Sequence, residues 1–392
     1  MTARDEAWAR HDREWRDPAQ VWGQWGSAAA VEPSLLRHRV RGRFWEALDT
    51  AGVTLFVTRE YEHLAMALTV ARSVPEVSYL RVPHPSGLVY DRSRRVVYLA
   101  STRNPNQIVT LAPVSGLADR GDTRLSRLSG RPLVPIRTDV HQGSAYLHDL
   151  ALVGGVLHAN AVGHNTVVRV GSDGRFSPVW WPRSMERDGK PLVDCNLIQL
   201  NSIAAGPTLE RSFFSASASA MGTRRPGHKD FPVDRCGVVF SGRTREPVVR
   251  GLTRPHSARL HRRRLWVANS GYGEVGLVRR GQFEPVFRVK GWTRGLAFAG
   301  NIAFVGVSRV LPRFRHYAPG VDADRSHCAV YAVEVDTGNV VGSLRWPDGN
   351  QIFAIDVAPR RVTTGFPFAL RRTGRARRAH GLFYAFQTEP PT

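Results

Sequence analysis

What this 392-residue chain lacks narrows it first. Lysine is almost missing: only Lys190, Lys229 and Lys290 stand among 55 lysines and arginines, so a formal net charge of +22 is carried by arginine. Scattered arginines without a nucleic-acid motif make nucleic-acid binding a weak reading, and the densest run, Arg371, Arg372, Arg375, Arg377 and Arg378, reads as a solvated loop. Three cysteines, Cys195, Cys236 and Cys328, are odd in number and lack CxxC spacing. They offer neither a disulfide framework nor a zinc signature and favour a reducing compartment. No apolar run approaches the ~20 residues that cross a bilayer, and Met1 to Trp25 mixes acids, arginines and tryptophans as no signal peptide does. The expectation is a soluble, cytoplasmic protein with no membrane partner. A phosphate-binding glycine loop, HExxH, Gly-x-Ser-x-Gly and EF-hand spacing are missing as well, which leaves nucleotide, zincin and serine-hydrolase readings without direct support.

Long amphipathic helices are also absent, although 42% hydrophobic and 22% charged residues make a globular composition with ample material for a core. From Val53 onward the texture is short apolar or alternating runs broken by Gly, Pro, Asn and Asp, the signature of many short strands. A unit recurs: polar start, apolar strand, turn, second apolar strand, polar loop. Six first strands align: Gly87 to Asp91, Asp149 to Val153, Ser202 to Gly206, Ser257 to His261, Gly295 to Ala299 and Ala354 to Ala358. Five have a second strand close behind; the sixth has none. Its partner is found at the other end of the chain, where Val53 to Thr58 and His63 to Val70 read as strands without a first strand before them.

Pairing the two ends into one blade buries edges that would otherwise stay exposed. The spacing of about 40 to 60 residues suits propeller blades enlarged by insertions, notably at 221–231 and 311–326. The fold expected is all-β, a single six-bladed β-propeller closed by N-terminal strands; a β-sandwich or two smaller β domains is the alternative. Residues 1–50, with Trp8, Trp15, Trp22, Trp25 and Trp45 among charges, read as a partly helical arm, 51–360 as the propeller, and 361–392 as a basic segment able to add a strand.

In a propeller, residues at the start of each first strand converge on the axis. Here those positions offer His148, Asn201, His256 and Arg294, with His84 slightly offset and Gln351 ahead of the sixth strand. Three histidines meeting there suit a divalent transition metal, Mn, Fe, Ni or Zn, so His84, His148 and His256 are the candidate ligands. Asp149 should alternate away and is the weaker ligand. The same imidazoles could instead transfer protons, with Arg294 holding a carboxylate or phosphate, or polar channel residues could simply bond water and one another. A second layer comes from the ends of the second strands: Asn160 and His164, and Asn269 beside Ser270, while His158 reads as structural. The insertion Ser308 to Gly320 gathers Arg309, Arg313, Arg315, His316 and Tyr317 into a loop able to act as an anion-binding lid.

Arg294, His164 and His316 are thus the catalytic candidates, and Asn160, Asn201, Asn269, Arg309, Arg313 and Tyr317 the substrate-binding ones. The function expected is a metal-assisted lyase, hydrolase or oxygenase acting on a small anionic or peptide-like substrate. The competing expectation is a non-catalytic module that holds a protein partner or an acidic ligand.

Several segments carry a resemblance: Leu157-His-Ala-Asn-Ala-Val-Gly-His-Asn165, Gly251-Leu-Thr-Arg-Pro-His-Ser-Ala-Arg259, Leu265-Trp-Val-Ala-Asn-Ser-Gly-Tyr-Gly-Glu274, Gly291-Trp-Thr-Arg-Gly-Leu296, Ser308 to Gly320, and Gly349-Asn-Gln-Ile-Phe-Ala-Ile-Asp356. Over roughly residues 50 to 360 the chain resembles a bacterial family of conserved hypothetical proteins, sometimes joined to tetratricopeptide repeats, which this chain lacks. The resemblance implies a propeller-like fold and brings no activity with it.

Overall fold

The structure is a computed structural model that describes residues 30–369 apart from 104–105, 118–130, 142 and 194, together with 386–388 and a few positions near the N-terminus. The tryptophans at 8, 15, 22 and 25 and the arginine run at 371–378 lie outside the described residues. Short β-branched and aromatic runs separated by turn residues form antiparallel sheets, and here the sheets form six blades. Blade 1 joins Ile355–Pro359 to Val53–Arg59, Leu64–Ala71 and Val74–Arg81. Blade 2 begins with Pro85–Asp91, blade 3 with Leu147–Val153, blade 4 with Leu200–Ala204, blade 5 with Pro255–His261 and blade 6 with Trp292–Ala299. The protein is therefore an all-β, six-bladed propeller, and blade 1 unites the two ends of the sequence through Val53↔Pro359 to Val57↔Ile355.

First strands of neighbouring blades do not pair as a sheet, so side chains close each seam. Ser86 Oγ donates to Leu147 O at 2.8 Å, and Asp149 Oδ2 accepts from Ile203 N at 2.9 Å. Ser202 Oγ accepts from Ala258 N and Ser257 Oγ from Gly295 N, both at 2.8 Å. Ser308 Oγ donates to Ile352 O at 3.0 Å, and Asp356 Oδ2 accepts from Tyr90 N at 2.8 Å. Small or acidic residues near the starts of the first strands, with Ser308 at the end of a second strand, thus satisfy backbone groups that would otherwise be buried without partners. Outside them, apolar side chains pack between blades, as where Trp266 and Leu277 of blade 5 meet Leu296, Val305 and Tyr331 of blade 6.

Two pieces of the N-terminal segment pack on this ring. Arg39–Gly42 adds a fifth strand to the outer edge of blade 6, Arg39↔Arg345 to Gly42↔Gly342, and so covers an edge open to pairing with other chains. The helix Phe44–Ala51 buries Phe44, Ala47 and Leu48 in the core between blades 6 and 1, and Gly52, left-handed at φ 63°, ends it. Phe386–Thr388 pairs with blade 2, Phe386↔Leu117 to Thr388↔Val114. Among the described residues no helix is long and apolar enough to cross a membrane.

Candidate functional site

The channel entrance is built from one repeated backbone device. The residue just before each first strand in blades 2 to 5, His84, Tyr146, Gln199 and Arg254, is left-handed, with φ of 43, 50, 52 and 49°, and Gly291 holds the place in blade 6 at φ 151°. Such a backbone costs a non-glycine residue on the order of 1 kcal/mol, so its repetition marks a position the fold enforces. Bulges in the pairing of the first strands follow, at Pro85/Leu88, Leu200/Ser202, His256/Arg259 and Thr293/Leu296. They re-aim side chains that strict alternation would send elsewhere.

Counted from that residue, the candidates fall into separate rings. His148, Asn201 and His256 are second in their strands, as are Ser86 and Thr293, and Arg294 is one further on. His84 lies two residues earlier, equivalent to Gln199 and Arg254. The structure accordingly brings His148 and His256 together, ring centroids 5.9 Å apart, and places His84 against His63 at 4.4 Å. The supposed metal set of His84, His148 and His256 is not assembled. Among the described residues no group of three His, Cys, Asp or Glu side chains is placed to hold a metal ion. Charge argues the same way, because Arg294 Nη2 donates to His148 Nε2 at 3.0 Å and would face any cation set there.

The tautomers follow from the partners. Carbonyl oxygens only accept, so His148 Nδ1 carries hydrogen toward Asn201 O at 3.2 Å, and its Nε2 lone pair takes the bond from Arg294. His256 Nδ1 likewise donates to Arg254 O at 2.8 Å, with Ser270 Oγ at 3.1 Å. Its Nε2 has no hydrogen bond among the described residues and is left as an acceptor. Between the two rings, Asn201, Arg294 and Phe353 help line a cavity of about 10 Å³, room for about one water. Asp149 lies one layer deeper, where it accepts both guanidinium nitrogens of Arg259, at 2.7 and 3.1 Å.

Two buried arginines flank His256. Arg294 lies with its guanidinium carbon 3.5 Å from the Phe353 ring centroid. In the amide orientation that satisfies both neighbours, Gln351 accepts from Arg294 Nη1 at 2.8 Å and donates to Glu60 Oε2 at 3.3 Å. Arg254 is 1% exposed and lies against Tyr317, 3.8 Å from its guanidinium carbon, and Phe231 at 5.7 Å. It donates to Gln199 Oε1 and to Ser217 Oγ, while its Nε and Nη2 have no partner. Among the described residues neither arginine has a carboxylate within 4 Å. Burial pulls both guanidiniums down to about 10.

The remaining candidates separate by what already engages them. Asn269 accepts from Thr253 N at 2.7 Å and donates to Glu274 at 2.8 Å, so both ends of its amide serve the turn. Asn160 is fully buried with neither amide atom partnered, and His164 sits half-buried in the turn Val162–His164 of blade 3; no described contact joins either to the His148–His256 cluster. Arg309 Nη2 is committed to Pro347 O at 2.7 Å. Tyr317 does reach the entrance, stacked on Phe314 at 5.4 Å, and Phe314 in turn stacks on Tyr61 of blade 1 at 6.3 Å. Arg313 lies over Tyr61 at 4.9 Å, and His316 is exposed with its edge on Tyr317 at 4.0 Å. Arg254, Glu60 and Tyr61 are the entrance residues that the sequence pattern did not single out. The one available signal was Arg254-Pro255, which repeats His84-Pro85.

Burial pushes His148 and His256 well below the ordinary 6.5, and Arg294 adds to both shifts. A histidine so depressed binds its proton more readily in the unfolded chain, so the stability it contributes is complete above about 6.5 and is lost as pH falls from there. Asp356 works the other way: burial raises it to about 6, so the folded state gains from protonating it as pH falls below that value. His63, His84, His141, His158, His164, His261, His316 and His327 are lowered by burial as well, so the imidazoles outweigh the one carboxyl and leave a net loss. Unfolding free energies from urea titration should therefore fall between pH 7 and 5, by about 1.4 kcal/mol per pH unit for each net proton, and His256→Asn should flatten the slope. A level profile would mean that these rings are hydrated.

The chain is similar to several solved structures. A chain of the nidogen/laminin complex superposes with a TM-score of 0.52 at 11% identity, covering 80% of this chain and 100% of that one. A protein of unknown function from Bacteroides caccae gives 0.47 at 9% identity, with 78% and 98% covered. A putative gluconolactonase gives 0.38 at 16%, with 68% and 89% covered. At these identities the likeness concerns the fold and carries no chemistry across. No curated protein matches the chain. Residues 42–365 match the domain of unknown function DUF4915, and the chain belongs to that uncharacterised, propeller-forming family.

Proposed function

We propose that the channel entrance binds a small anion through Arg254 and Arg294, and that His256 Nε2 accepts a proton from the bound molecule, the chemistry of a lyase or hydrolase. One observation carries the reading: two buried guanidiniums without a carboxylate partner, one of them with two donors unused. A buried charge left uncompensated is costly, and an anionic ligand is the compensation the site lacks. The donors are fixed before the ligand arrives, which is how electrostatic stabilisation of developing negative charge works best.

An anion drawn to either arginine would cancel part of the positive field on His256 and raise its affinity for a proton, making the base stronger once substrate is bound. The reading uses no metal, because no three His, Cys, Asp or Glu side chains among the described residues are placed to hold one; one equivalent of transition metal in tag-free protein would overturn it. Thermal-shift screening of small carboxylates and phosphate esters should identify stabilising anions. For any that is turned over, His256→Asn should retain binding and lose turnover by ~10²-fold or more, and undiminished turnover would remove His256 from the chemistry. One observation favours a non-catalytic reading of the same site: both nitrogens of His148 are engaged, leaving a single imidazole free to move protons. Stabilising anions with no turnover in the parent protein would support that reading.

A further inference from the structure

The two longest insertions on this face converge over Arg254. Phe231, from the blade 4 insertion, and Tyr317, from the blade 6 insertion, both lie against its guanidinium. Tyr317 also packs against the apolar cluster that holds Phe231 and Val233. Both insertions carry a net positive charge. Residues 221–231 contain Arg224, Arg225 and Lys229 against one acid, Asp230, which faces His228 Nδ1 at 3.6 Å. Residues 311–326 contain Arg313, Arg315 and Arg325 against Asp322 and Asp324. Arg315 is paired with Asp324 at 2.7 Å, whereas Arg224, Arg225, Lys229 and Arg313 are exposed and have no ion pair among the described residues.

Unpaired cations of one sign around a low-dielectric mouth focus field outward and draw in negative charge. Four of them exceed what one inner anionic group needs. We infer that the ligand is a polyanion, with one acidic group seated at Arg254 and Arg294 and further acidic groups held outside by Arg224, Arg225, Lys229 and Arg313. This rests on the anion reading above and adds the ligand's class: a small molecule with several separated acidic groups. The aromatic stack of Tyr61, Phe314 and Tyr317 forms the wall along which such a chain would run outward.

Calorimetric titration separates the two levels. Inorganic phosphate tests the inner seat, tripolyphosphate the seat plus rim, and citrate distinguishes carboxylate from phosphate chemistry. At ~0.1 M salt, tripolyphosphate or citrate should bind about tenfold tighter than inorganic phosphate, the product of several exposed ion contacts. Reversing the rim in R224E/R225E should reduce that preference to about twofold or less, with phosphate affinity falling far less than polyanion affinity and the thermal midpoint held. Phosphate binding without preference for either polyanion, or a preference that survives reversal, would overturn the polyanion inference and leave the inner site standing. Failure of all three anions to bind would overturn both.

Discussion

Replacing Arg254 by methionine should leave the ligand-free protein at least as stable as the parent and weaken anion binding by ~10²-fold. The two halves of that expectation have different causes. Removing a buried, unpaired guanidinium and filling its place with an apolar chain of similar length favours folding by ~1–4 kcal/mol. Against this stands the loss of donors to Gln199 and Ser217, about 1–3 kcal/mol. The terms nearly cancel, so the midpoint of thermal unfolding should hold or rise. Affinity has no such offset: two charge-assisted hydrogen bonds from Nε and Nη2 amount to ~3 kcal/mol, about 10²-fold. A fall in midpoint with unchanged phosphate affinity would make Arg254 a structural residue and remove it from the site.

Arg59→Met should behave oppositely, although Arg59 is buried as completely as Arg254. Its Nη2 is 3.0 Å from Glu62 Oε1, its Nη1 donates to Leu35 O at 2.7 Å, and its guanidinium lies over Trp346 at 5.2 Å. Glu62 also accepts from Asn350 N, so the pair ties the closing blade to the segment that leaves blade 6 and to the N-terminal segment. Taking away Arg59 strands Glu62 as a buried, uncompensated charge, a loss of ~3–5 kcal/mol. Arg59→Met with Glu62→Gln should recover much of it, because the second change removes the stranded charge. Denaturant midpoints of the parent, the single and the double variant test this. Equal midpoints for the single variant and the parent would show that the pair is hydrated and that ring closure does not depend on it.

The contrast between these arginines could not be read from the sequence. Both occur as lone arginines beside short strands, and only the fold shows that one has a carboxylate and the other none. The blades themselves were legible, because alternating apolar runs and turn residues set strand positions locally. The closure by Val53–Arg59 followed from the sixth first strand having no partner downstream. Part of the entrance was legible too: His148, Asn201, His256, Arg294 and Tyr317 all reach it.

His84 was misplaced by two residues. Counting by twos does not survive a left-handed residue followed by a bulge, and it is Ser86, bonded to Leu147 O, that occupies the position of His148 and His256. Asn269 looked available because a turn sequence does not reveal that Thr253 N and Glu274 already use its amide. Glu60 and Tyr61 lie in a three-residue turn, Glu60–Glu62, where no periodicity points to the axis.

The most direct test of the anion site is calorimetric titration of inorganic phosphate at pH 7. The two arginines predict saturable binding of one phosphate per chain and loss of the signal in both Arg254→Met and Arg294→Met. Absence of saturable binding to the parent protein, or binding that both variants retain, would contradict the account.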